Sequence, residues 1–139
     1  MTTRTGTFPG FTVLDEPGAP CWFELHTRDH ARAVAFYCSV FRCDTATVAD
    51  TDQFRYTTMR HPDDGGELAG IMDASNFLPA GVPAHWSAYW HVDDVDATVA
   101  RVEALGGSVT MRPETTPYGR LAIVADPAGT QLKLRAPAQ

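Results

Sequence analysis

At 139 residues, with 44% hydrophobic and 20% charged side chains, the chain has the length and balance of one globular domain. Its net charge is −6 and its basic residues, ten arginines and one lysine, form no run, which argues against nucleic-acid and anionic-membrane partners. No apolar run approaches the roughly 20 residues that span a bilayer, and the opening MTTRTGTFPG lacks the apolar core of a signal peptide. Cys21, Cys38 and Cys43 are odd in number and without metal-type spacing, so they read as reduced, packed thiols and the chain as cytoplasmic.

Residues 1–17 read as an N-terminal arm carrying Phe8, Phe11, Val13 and Leu14, apolar side chains of the kind that cover a neighbour or their own domain. CWFELHT (21–27) alternates and predicts a strand. In the segment that follows, Asp29 is a fair N-cap, and Ala33, Val34, Phe36, Tyr37 and Val40 recur at helical spacing. CDTATVAD, FRYTTMR and ELAGIM predict three short strands, with HPDDGG (61–66) as a turn. A loop over residues 73–83 holds two prolines and several apolar side chains. HWSAYWHV (85–92) is again a strand, and the next helix runs from Asp93 and Asp94 to Gly106 or Gly107, with Val95, Val99, Val102 and Leu105 on one face. SVTMRP, GRLAIVAD and TQLKLRA are the last strands, with DPAG as the turn before the final one.

The order βαβββ therefore occurs twice, in modules 18–72 and 84–136 of a single domain, 18–136. Setting Asp29 over Asp94 brings His26 over His91, Glu24 over Tyr89 and Trp22 over Ser87. One such module has one helix to cover its sheet. Two of them predict an α+β fold whose mixed sheet curves around a shared cavity.

The runs DHARAVAFY (29–37), VDDVDATVAR (92–101), LGG (105–107) and DPAG (126–129) resemble the vicinal oxygen chelate superfamily, which contains glyoxalase I, extradiol dioxygenases and bleomycin-resistance proteins. PGAPCW, GVPAHW and YGRLAIVADP are similar to a narrower actinobacterial branch labelled glyoxalase-like or hydroxylase-like. The resemblance covers residues 18–136 and implies the two-module fold. It does not fix an activity, because the superfamily hosts lyases, dioxygenases, isomerases and drug binders. In metal-using members, ligands come from the first and last strands of each half. By the resemblance those positions are Trp22, Ser87, Lys133 and the stretch from Gly70 to Met72. No His, Glu or Gln ligand stands there, and a lysine ammonium repels a cation. No metal and no cofactor are expected.

His85 and His91 lie on one face of their strand, but six residues at about 3.3 Å each separate them by roughly 20 Å, too far to share an ion. Asp93 and Asp94 read as helix caps. Ser87, Tyr89 and His91 face one way and Trp86, Ala88 and Trp90 the other. The resemblance places the first set, with its repeat partners Trp22, Glu24 and His26, toward the cavity. Trp86 and Trp90 are then expected in the core.

The expected ligand set is Trp22, Glu24, His26, Ser87, Tyr89, His91 and Lys133, with Glu24 and Lys133 neutralising one another. It suits a metal-free protein that binds a flat or aromatic organic molecule, a metabolite or drug. The alternative is an enzyme of the same superfamily acting on a secondary-metabolite-like substrate. Its candidate catalytic groups are Glu24, His26 and His91, with or without a divalent metal. The superfamily also implies a homodimer.

Overall fold

A computed structural model describes residues 16–137. The chain divides into two compact units, one spanning Trp22–Ser87 and the other formed by residues up to Cys21 with those from Ala88 onward. The arm residues Phe8, Phe11, Val13 and Leu14 lie outside the described residues.

The first unit holds strand β1 (Pro20–Thr27) from Trp22 on, helix α1 (His30–Phe41), and strands β2 (Asp44–Asp50), β3 (Arg55–Arg60) and β4 (Glu67–Asp73). Its strands lie in the order β2-β3-β4-β1, with β1 parallel to β4 and the other pairs antiparallel. The second unit repeats this plan with β5 (His85–His91) from Ala88 on, α2 (Val95–Ala104), β6 (Ser108–Thr116), β7 (Gly119–Ala125) and β8 (Gln131–Ala136). There the order is β5-β8-β7-β6, with β5 parallel to β8. The fold is α+β, built of two βαβββ units with mixed sheets, as the repeat predicts.

Each unit has its own core beneath its helix. Leu25, Met59, Ala69 and Ile71 are buried in the first, joined by Phe23, Val34, Tyr37 and Cys43. Val95, Val99, Ala122, Val124, Leu134 and Ala136 are buried in the second. In both, apolar residues at period two on the strands meet apolar residues at period 3.6 on the helix. The helices begin where the aspartates predict. Asp29 accepts the Arg32 N–H at 3.3 Å, and Asp94 accepts that of Ala97 at 3.0 Å. At the end of α2, Gly106 takes φ 92°. A Cβ on Gly107 would stand 2.6 Å from both the Ala125 carbonyl oxygen and Val102 Cγ1, so only glycine fits there.

Several packing expectations need correction. Helix α1 has no fully buried residue, and Phe36 and Val40 are more than half exposed. Their spacing continues the stripe of Ala33, Val34 and Tyr37, but only those three pack against the core. Leu105 lies past the last turn of α2 and is exposed. Trp86 and Trp90 are 39% and 36% exposed, so neither is a core residue. Trp86 does lie on the α1 side, edge-on to the Tyr37 ring at 5.1 Å with its indole N–H donating to the Tyr37 hydroxyl at 3.2 Å. A single helix is too narrow to cover so large a ring. Asp93 makes no hydrogen bond among the described residues, so Asp94 alone caps α2. None of the three cysteines forms a disulfide among the described residues, and all are half-buried.

Candidate functional site

Residues paired in register across a sheet point to the same face. In the first unit Glu24 pairs with Gly70, His26 with Met72, Thr58 with Gly70 and Tyr56 with Met72. Trp22, Glu24 and His26 of β1 therefore share a face with Tyr56 and Thr58 of β3. Phe23 and Leu25, on the opposite face, pack under α1.

On this face the Trp22 indole N–H donates to the Tyr56 hydroxyl at 2.9 Å. That bond joins the polar edges of the two aromatic side chains. The tyrosine lies so close to Gly70 that a side chain there would overlap it. Beside this pair, His26 Nε2 and Glu24 Oε2 are 2.9 Å apart, and the two residues are 7% and 5% exposed. The His26 ring also meets Phe77 edge-on, with centroids 5.7 Å apart, and lies 5.6 Å from the His85 ring. Phe77 reaches it from the loop after β4. Arg28 holds that loop, donating to the carbonyls of Val82 at 2.7 Å and Pro79 at 2.8 Å. The Ala74 N–H adds a bond to the Thr27 carbonyl at 2.7 Å.

The structure thus brings Trp22, Glu24 and His26 together with four residues outside the expected ligand set: Tyr56, Gly70, Phe77 and His85. His85 carried a signal, because it alternates in phase with Ser87, Tyr89 and His91. Phe77 carried none, since its position depends on how Arg28 gathers the loop. In the second unit, Tyr89 pairs with Lys133 in register and the Lys133 ammonium lies over the Tyr89 ring, 5.1 Å from its centroid. That is a cation–π distance. Lys133 and His91 are both buried. His91 exchanges backbone bonds with Gly18 and Ala19. Ser87 is half-buried at the end of the first unit.

An open cavity of about 430 Å³ lies on the opposite face of the first sheet, between the start of α1 and the edge strand β2. His30, Thr45, Thr47, Asp50, Arg55 and Thr57 line it. His30 Nε2 and the Thr57 hydroxyl are 3.0 Å apart. Burial is the main influence on this imidazole and lowers its pKa, with Asp73 acting against it. Arg55 is bound to Asp50 at 2.7 Å and to Asp73 at 3.2 Å, so the charged groups of this cavity already satisfy one another. The chemistry concentrated around Glu24 and His26 makes the β1 face the better candidate.

The residues do not fit a metal centre of the kind the resemblance implies. Tyr56 covers the bare Gly70, where a ligand would have to stand, and Trp22 and Lys133 occupy two further ligand positions. Among the described residues no group of three His, Cys, Asp or Glu side chains is arranged to hold an ion.

The family model for the glyoxalase/bleomycin resistance protein/dioxygenase superfamily matches residues 21–134. The chain belongs to that superfamily. An anthracycline biosynthesis protein, DnrV, from Streptomyces peucetius is 38% identical over 125 residues, covering 81% of this chain and 45% of the relative. A putative glyoxylase, CFP32, from Mycobacterium tuberculosis is 35% identical over 130 residues, covering 93% of this chain and 48% of the relative. The chain spans a little under half the length of these relatives, and both come from actinobacteria, the branch its motifs resemble. Among solved structures, methylmalonyl-CoA epimerase from Mycobacterium tuberculosis aligns with a TM-score of 0.58 at 18% identity, covering 84% of this chain and 86% of the epimerase. That likeness shows the superfamily fold. Among the described residues no helix is long and apolar enough to cross a membrane.

Proposed function

We propose that this superfamily member binds a flat, aromatic organic molecule on the β1 face. The observation that carries the reading is the hydrogen bond joining Trp22 and Tyr56 beside the buried Glu24–His26 pair. Aromatic faces supply large contact area with little side-chain entropy to lose, and a carboxylate–imidazole pair orients hydroxyl or carbonyl groups on the ligand. Ser87, Tyr89 and His91 stay in the proposed ligand set on the strength of the repeat, and Lys133 on the strength of the superfamily's last-strand position. The anthracycline biosynthesis relative lends support, since an anthracycline chromophore is planar and bears phenol and quinone oxygens. The reading needs no metal or cofactor. It places the protein in the cytoplasm as a homodimer, a state that sedimentation analysis tests directly.

Titration with an anthraquinone, followed by tryptophan fluorescence, tests the site. Quenching is expected in the wild type and in Trp86→Phe and Trp90→Phe variants, and is expected to fall away in Trp22→Phe. Quenching that survives in Trp22→Phe but vanishes in Trp86→Phe would move the site to the other face of the sheet.

The Glu24–His26 pair supports a second reading, an enzyme that transfers protons. The Glu24 carboxylate beside Nε2 stabilises the imidazolium that forms when His26 takes up a substrate proton. That arrangement suits isomerisation, hydration or hydrolysis. Exchange of solvent deuterium into a bound ligand, lost in His26→Gln, distinguishes catalysis from binding alone.

A further inference from the structure

We infer that Cys38 and Cys43 form a vicinal thiol pair, a modification site that hydroperoxides convert into an intramolecular disulfide across the C-terminal end of α1. The two thiols are five residues apart in sequence, and the end of the helix folds them together. Arg42 is the one non-glycine residue with positive φ among those described, at 51°. Its left-handed conformation reverses the chain, and the N–H groups of both Arg42 and Cys43 then bond to the Cys38 carbonyl, the latter at 3.3 Å. This is the ordinary geometry of a helix end, in which the residue after the left-handed position lies beside the residue one turn back. Here both of those residues are cysteines. Both thiols are free and half-buried. A disulfide needs Cα atoms about 4.4–6.8 Å apart, a span that a direct backbone bond between the two residues favours.

The chemistry balances with the peroxide as oxidant. One thiolate attacks a peroxide oxygen, the O–O bond breaks, and hydroxide leaves to take up a proton. The second thiol attacks the resulting sulfenic sulfur and expels water. Two thiols and one hydrogen peroxide become one disulfide and two waters. An adjacent resolving thiol also intercepts the sulfenic acid before further oxidation. Burial and the contact with Cys43 push the Cys38 thiol up to about 11, so bridging is slow near neutrality and faster as pH rises. Cys43 packs against the cluster that contains Phe23 and Leu25. The bridge therefore ties the last turn of α1 to the side of β1 that backs the proposed ligand face.

Trypsin cuts after Arg42, which makes the test direct. The full chain is treated with hydrogen peroxide at about pH 7 and pH 9, free thiols are alkylated, and the protein is digested. The expected product is the peptide 33–42 joined to 43–55, lighter by two hydrogens than their sum and separated by dithiothreitol. Two of the three thiols are lost to alkylation while Cys21, whose thiol donates to the Tyr89 carbonyl at 3.5 Å, stays alkylated. More linked peptide forms at the higher pH. Cys38→Ser should abolish the link and leave Cys43 open to sulfinic acid. Sulfinic acids at both positions in the wild type, bridges between two chains, or oxidation of Cys21 at an equal rate would each overturn the assignment.

Discussion

The hydroxyl of Tyr56 stands over the bare α-carbon of Gly70 and accepts the indole N–H of Trp22 at 2.9 Å. Three residues from three strands thus fix one another, and the glycine is the part that cannot change alone. Gly70→Ala drives a methyl group into the tyrosine ring, and overpacking of this kind costs about 1–3 kcal/mol. In a Tyr56→Ala background the same substitution should cost almost nothing. Urea unfolding of the four proteins of this double-mutant cycle measures the coupling. A Gly70→Ala penalty that persists without Tyr56 would mean that the backbone, not the ring, demands glycine.

The Glu24–His26 pair makes a second stability prediction. Leaving a buried donor or acceptor without its partner costs about 1–3 kcal/mol, whereas an exposed pair is worth about 0–1 kcal/mol. Glu24→Ala should therefore lower the unfolding midpoint more than Glu103→Ala, which breaks the exposed Arg112–Glu103 pair. Glu24→Gln keeps the hydrogen-bonding shape and should fall between them. Equal midpoints for Glu24→Ala and Glu103→Ala would show that the pair is well solvated.

Most of the fold was legible in the sequence because its signals are local. Asp29 and Asp94 mark the helix starts, the glycines after Leu105 mark a helix end, and alternation sorts the faces of β1 and β5. Those signals place Trp22, Glu24 and His26 on one face without any coordinates. Burial was less legible. Whether Phe36 or Trp86 is covered depends on the width of the sheet and on a lone helix, and periodicity reports only direction. The remaining site residues were hidden for another reason. Tyr56 and Gly70 come from β3 and β4, whose register with β1 is a long-range property, and Phe77 depends on the two carbonyls that Arg28 gathers.

Adjacent aspartates at the start of α2 are predicted to behave unequally. Asp94 bonds the Ala97 N–H and satisfies one of the donors that a helix start leaves open. Asp93 is exposed and makes no side-chain hydrogen bond among the described residues. Asp94→Ala should cost about 0.5–2 kcal/mol, and Asp93→Ala only the small loss of a charge near the helix dipole. Thermal unfolding of the two variants side by side checks this, and equal losses would assign the effect to charge rather than to the cap.

His30 predicts a pH dependence whose sign follows from its surroundings. Burial beside Val34 and the Thr57 hydroxyl lowers its pKa below the model-peptide 6.5, and Asp73 and Asp50 only partly oppose this, with Arg55 adding to it. The folded protein therefore holds the imidazole neutral at a pH where the unfolded chain has begun to protonate it. Stability rises with pH wherever the unfolded state binds more protons. This contribution is complete above about pH 7 and declines as pH falls through 6.5 toward the lower folded value, where it levels off. Asp73 is held below the usual carboxylate range, chiefly by the Ser75 hydroxyl and N–H and further by Arg55. Its own contribution is lost only at more acidic pH, so the two windows separate. His30→Gln should thus flatten the stability curve as pH falls from about 7 through 6.5 while leaving the acid limb in place. His61→Gln, in the exposed turn beside Asp64, serves as the control and should leave the His30 slope intact. Guanidinium midpoints at several pH values give the comparison, and a His30→Gln curve parallel to wild type across that window would show that His30 titrates alike in both states.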